Sequence, residues 1–164
     1  MSRLSLAASA IKDTNPCKIA FIRALWHEDI TMSCQKAFLD ELLACGYNRG
    51  QVEVHEVPGA YELPLLAKRL ASTGNYDAIV ANAFVIDGGI YRHDFVASSV
   101  VDALMRIQLE IDVPIFSAVL TPHHYHATTE HSDFFLNHFA LKGKEAAHAC
   151  LSMVGLYRKM ASNA

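Results

Sequence analysis

The chain has 164 residues, 52% of them hydrophobic and 19% charged, the make-up of one folded domain and not of a disordered chain. Its 14 Lys+Arg against 17 Asp+Glu leave a net charge of -3, which gives no electrostatic reason to bind nucleic acid or an anionic membrane. The longest apolar stretch, Ala78 to Ile86, already contains Asn82 and falls far short of the about 20 residues a membrane span needs.

Residues 1–15 carry Arg3 and a run of small residues without the hydrophobic centre of a signal peptide. They are expected to be a flexible tail, with 16–164 as a single domain. Cys17, Cys34, Cys45 and Cys150 are scattered, with no CxxC spacing. That reads as small buried hydrophobes in a reducing, cytoplasmic setting.

Ile19 to Leu25 is an apolar run fit for a buried strand. Asp29 is placed to cap a helix on which Ile30, Cys34, Phe38 and Leu42 recur, with Gly46 as its stop. Val52, Val54 and Val57 predict a second strand ending at Pro58-Gly59, and Leu63, Leu66, Ala67, Leu70 and Ala71 a second helix ending near Gly74. Tyr76 to Ile86 is the third strand, broken by Asp87-Gly88-Gly89. Val96, Val100, Ala103, Ile107 and Ile111 follow at helical spacing until Pro114, and Ile115 to Leu120 is the fourth strand. After a His-rich loop, a short helical piece is expected near Ser132–Phe139. A longer one is expected beyond Gly143, with Ala146, Cys150, Met153 and Tyr157 on one face.

Alternating strands and helices imply a parallel sheet with helices on both faces. The expected fold is a three-layer α/β/α sandwich, flavodoxin-like, with a four-stranded parallel sheet. Ligands of such sheets bind outside the carboxyl ends of the strands. Those ends bring together Leu25-Trp26-His27, Val57 to Glu62, Ile86 to Ile90 and Leu120 to His123. Aromatic side chains, glycine-bared amides and imidazoles there suit a flat polar molecule with an anionic group. Gly88-Gly89 opens a helix, where backbone N–H groups can meet an oxyanion or simply make a turn. Arg92-His93-Asp94 follows at once, and imidazole moves protons near neutral pH. Trp26, the only tryptophan, is a packing residue or a stacking face. His123, His124, His126, Glu130 and His131 invite a metal reading, but no HExxH is present and the loop lacks ligand spacing. There is no GxGxxG, P-loop or GxSxG.

Val57-Pro58-Gly59-Ala60-Tyr61-Glu62-Leu63-Pro64 resembles a signature segment of the lumazine synthases, the penultimate enzymes of riboflavin biosynthesis. Ala83 to Gly89, continuing through Asp94-Phe95-Val96-Ala97, resembles their second motif, and a turn at Lys142-Gly143 also fits. The resemblance covers Lys18 to Tyr157. It implies condensation of 5-amino-6-(D-ribitylamino)uracil with 3,4-dihydroxy-2-butanone 4-phosphate to 6,7-dimethyl-8-ribityllumazine and phosphate. It also implies no metal or organic cofactor, and a homo-oligomer, a pentamer or a pair of pentamers, with active sites between adjacent subunits.

By position, the resemblance assigns Trp26 to stack on the pyrimidine. Ala60, Tyr61 and Glu62 hold the ribityl chain and ring, Phe84, Val85 and Ile86 meet the pyrimidine edge, and the amides of Gly89 and Ile90 cradle phosphate. Arg92 stands where the family's catalytic His is usual, with His93 next to it; these two are the catalytic candidates. Ser117 replaces a ring-facing Phe, and His131 replaces a phosphate-binding Arg supplied by a neighbouring subunit. These departures resemble the divergent type II branch. A second class of function, a catalytically weak flavin- or lumazine-binding scaffold, draws its support from the same departures.

Overall fold

The structure is a computed structural model that describes residues 17–87, 92–126 and 128–163. The tail expected over residues 1–15 and the phosphate cradle expected at Gly89 and Ile90 lie outside the described residues.

Four parallel strands form one sheet: β1 (Ile19–Ala24), β2 (Val52–Val57), β3 (Ala78–Phe84) and β4 (Ile115–Leu120), in the order β2-β1-β3-β4. The two central strands are buried at every residue, which is why β1 and β3 read as unbroken apolar runs. The edge strands are only partly covered. Four helices, α1 (Glu28–Ala44), α2 (Leu63–Ala71), α3 (His93–Ile111) and α4 (Thr129–Ser162), complete the sandwich.

Alternation along the strands divides the core. Ala20, Ile22 and Ala24 of β1 and Ile79, Ala81 and Ala83 of β3 pack under α2 and α3. Ile19 and Phe21, with Ala78, Val80 and Phe84, pack under α1 and α4. The expected three-layer, flavodoxin-like fold is therefore the observed one.

The chain runs from β1 outward to β2, then returns to place β3 on the other side of β1. This reversal opens a crevice between the carboxyl ends of β1 and β3, the usual ligand position in open α/β sheets. Two buried hydrogen bonds and the ion pairs of a buried arginine brace the elements beneath it. Thr31 Oγ1 donates to the Ala24 carbonyl at 2.9 Å, and Asn82 Nδ2 donates to the Thr31 carbonyl at 2.8 Å. The buried Arg23 guanidinium binds Glu28, at 3.2 Å, and Glu56. The start of α1 is thus tied to β1, β2 and β3 at once.

Several local readings are corrected. The helix α1 is capped by His27, not Asp29. His27 adopts a left-handed conformation (φ 57°) with no side-chain cap, while Asp29 sits in the first turn where its charge suits the helix dipole. The reversal after α3 occurs at Asp112 (φ 60°), before Pro114. No turn or break occurs at Lys142-Gly143, and no separate piece covers Ser132–Phe139, because α4 is one helix of 34 residues. Gly143 is needed there for close approach: a Cβ on it would lie 2.2 Å from the Cys34 carbonyl oxygen of α1. The buried stripe of α4 runs through Gly143, Ala147, Cys150, Leu151 and Val154, so Met153 and Tyr157 lie at its margin. Among the described residues, no helix is long and apolar enough to cross a membrane.

Candidate active site

A cavity of about 770 Å³ occupies the crevice at the carboxyl ends of β1 and β3, within the size range of small-molecule sites. Ala24, Trp26 and His27 reach it from the end of β1, and Ala60 and Tyr61 from the turn after β2. Phe84 ends β3 and Val85, Ile86 and Asp87 follow it, while Arg92 caps α3, which supplies His93, Phe95, Val96 and Ser99.

Trp26 is held by backbone pairing that continues beyond the strands. Leu25 N–H donates to the Val57 carbonyl at 2.9 Å and Trp26 N–H to the Pro58 carbonyl at 3.3 Å. The indole then lies over Gly59, where an added Cβ would sit 3.1 Å from Trp26 Cε3. The ring is nevertheless 69% exposed, so most of its surface is available to a ligand. Glu62 does not line the cavity. Its Oε2 accepts from the Gly59 N–H at 2.9 Å, which closes the turn that presents Ala60 and Tyr61.

Phe84 is buried and joins an aromatic cluster. It meets His27 and Tyr125 edge-on, with centroids at 5.6 and 5.3 Å, and Phe139 at 5.3 Å. One edge of the cavity is thereby anchored in the core under α4.

Arg92 and His93 differ in setting. His93 is mostly buried, and both its backbone N–H and its ring Nδ1 lie 2.8 Å from Asp87 Oδ1. One carboxylate therefore caps α3 and orients the imidazole, leaving Nε2 as the nitrogen not engaged with Asp87. The backbone hydrogen bond from His93, followed by the ring contact, holds the Asp87 carboxyl below the usual carboxylate range. Arg92 is exposed. It pairs with Asp94 at 2.6 Å and lies over the Phe95 ring at 4.7 Å, an exposed cation at the rim. Asp87 is the functional residue that sequence reading left without a role. Its spacing of six residues from His93 along the chain was the available signal.

A smaller cavity of about 190 Å³ shares Ile86, Asp87 and His93 with the larger one and is closed by Pro122, His123, His124, Tyr125 and His126. Besides Glu62, two further expected site residues are not brought to either cavity within one chain. Ser117 is exposed on β4, its Oγ accepting from the Val119 N–H at 3.3 Å. His131 lies at the start of α4 against His126 and Phe135, its Nδ1 accepting from the His126 N–H at 3.2 Å.

Aromatic walls, an apolar floor, a carboxylate-held imidazole and a rim guanidinium suit a planar ring beside an anionic partner. The comparisons agree with that chemistry. A family model for 6,7-dimethyl-8-ribityllumazine synthase matches residues 16–158. A protein of that name from Rhodococcus erythropolis is 57% identical over 132 residues, 80% of this chain and 85% of the relative. The 6,7-dimethyl-8-ribityllumazine synthase 2 of Pseudomonas syringae pv. tomato is 52% identical over 143 residues, 87% of this chain and 84% of its own length. That of Bradyrhizobium diazoefficiens is 51% identical over 144 residues, covering 87% and 86%. The chain belongs to the 6,7-dimethyl-8-ribityllumazine synthase family.

Proposed function

We infer that the chain is a transferase of riboflavin biosynthesis, forming 6,7-dimethyl-8-ribityllumazine from 5-amino-6-(D-ribitylamino)uracil and 3,4-dihydroxy-2-butanone 4-phosphate. Family membership over nearly the whole chain carries the reading. In this reading the pyrimidine lies against Trp26, with its edge toward Phe84, Val85 and Ile86, and the ribityl chain passes Ala60 and Tyr61. The amine attacks the ketone, loss of water leaves a Schiff base, phosphate departs by elimination, and ring closure releases a second water.

Much of the acceleration comes from holding the two substrates together. His93, oriented by Asp87, moves protons in the imine and elimination steps. Arg92 stabilises phosphate but stays protonated, which makes it a poor proton shuttle. The amides of Gly89 and Ile90 complete the phosphate contacts. Ser117 and His131, which lie away from the cavity of their own chain, serve the site of an adjacent copy. The working unit is then a homo-oligomer, a pentamer or a pair of pentamers, in the cytoplasm.

A scaffold that binds lumazine or flavin without turnover is the less favoured reading, because the imidazole–carboxylate pair needed for proton transfer is present. A steady-state assay with both substrates separates them. Equal amounts of lumazine and inorganic phosphate are expected; tight lumazine binding with no phosphate release would overturn the enzymatic reading.

A further inference from the structure

We propose that Glu41, Cys45 and His148 form a divalent-cation site of the zinc type, at the pole of the molecule opposite the substrate cavity. Glu41 lies in the last turn of α1, Cys45 caps that helix, and His148 projects from α4. One donor atom from each, a carboxylate oxygen, the thiol sulfur and an imidazole nitrogen, lies within 4.8 Å of the other two. His148 Nε2 is 2.9 Å from Glu41 Oε1. Two ligands on one tetrahedral zinc, each about 2.0 Å from the metal, stand about 3.3 Å apart. Two of the three donors are therefore already near their bound spacing, and the thiol lies within 4.8 Å of both. The two helices that carry the ligands are held at fixed distance by the backbone contact at Gly143, which suits a pre-organised site.

The electrostatics favour a cation. The last turn of α1 contains no basic residue, and its terminal carbonyls carry the negative end of the helix dipole. His148 Nδ1 is buried without a hydrogen-bond partner, so the ion pair with Glu41 alone does not satisfy the ring. Sulfur, nitrogen and a single carboxylate select zinc over magnesium or calcium, with a fourth position left for water. Cys17, Cys34 and Cys150 are fully buried and do not compete. The site clamps the end of α1 to α4. It lies a helix length away from the cavity, about 25 Å for the 17 residues of α1.

The test uses the full chain, stripped with a chelator and titrated with cobalt(II) alone. The expected signal is a thiolate-to-cobalt charge-transfer band with intense tetrahedral visible bands, saturating at one cobalt per chain and erased by zinc. Cys45→Ser should remove the charge-transfer band, and His148→Gln should weaken cobalt binding by about tenfold or more. Lumazine formation should be the same with and without zinc. A wild-type protein without the band, or a band that survives Cys45→Ser, overturns the proposal. Should Cys45→Ser fail to fold, alkylation of the wild-type Cys45 decides: zinc should slow it, and equal labelling with and without zinc overturns the site.

Discussion

The two working regions of this molecule are finished in opposite ways. Between α1 and α4, backbone meets backbone, and a single Cβ at Gly143 would collide with the Cys34 carbonyl. At the carboxyl ends of the strands, large aromatic surfaces stay open, with Tyr61 73% and Phe95 63% exposed. Close packing around Gly143 on the first side stabilises the fold. Uncovered aromatic area on the second side suits a planar substrate and a second copy of the chain. Stability and chemistry are therefore separable by mutation.

The most damaging change is expected at Gly143. Gly143→Ala should cost about 3 kcal/mol or more, because backbone atoms of α1 cannot yield as a flexible side chain would. Urea denaturation should show a lower midpoint, and an unchanged midpoint would mean that the helices are not in the contact described. On the open side the effects should appear in kinetics. His93→Ala is expected to lower kcat by about 100-fold with the urea midpoint little changed. Arg92→Ala should mainly raise KM for the phosphorylated substrate. The reverse pattern would exchange the two roles.

Trp26→Ala should weaken lumazine binding by about 1–3 kcal/mol, the scale of aromatic stacking on bases. Ligand should also quench the fluorescence of this lone tryptophan. Gly59→Ala sharpens the point: by pressing on the indole it should shift emission and affinity while leaving the remaining cavity wall intact.

The smallest effect concerns acid. The depressed titration of Asp87 contributes stability that is present above the ordinary carboxylate value and lost as pH falls through the lower folded value. Acidification should therefore loosen the first turn of α3 before the molecule unfolds. Amide exchange at the His93 N–H should rise on that descent in the wild type. In Asp87→Asn it should be high already at neutral pH. Identical exchange in both proteins would mean that Asp87 does not hold the cap.

The sequence made the sheet legible because β1 and β3 are buried on both faces and their apolar runs have no competing explanation. It also placed Trp26, Tyr61, Phe84 and His93 near one another, since the strand ends of a parallel sheet must converge. Helix boundaries were harder. Gly143 looked like a breaker because glycine weakens an isolated helix, yet here it answers a tertiary need that no local pattern displays. The capping role of His27 was hidden because it rests on a left-handed backbone and not on a side-chain oxygen. Asp87 was missed for a similar reason: its partner His93 lies six residues on, outside any helical or strand period.

The central claim is that the open end of one chain becomes an active site only beside another copy, with His93 from one subunit and His131 from its neighbour. Mixed reassembly tests it directly. His93→Ala and His131→Ala proteins, each impaired alone, are dissociated, mixed and allowed to reassociate before lumazine formation is measured. Activity above that of either parent is expected, since some interfaces then pair an intact His93 with an intact His131. No recovery in oligomers shown to contain both variants would contradict the claim, because it would place the two residues in the site of a single chain.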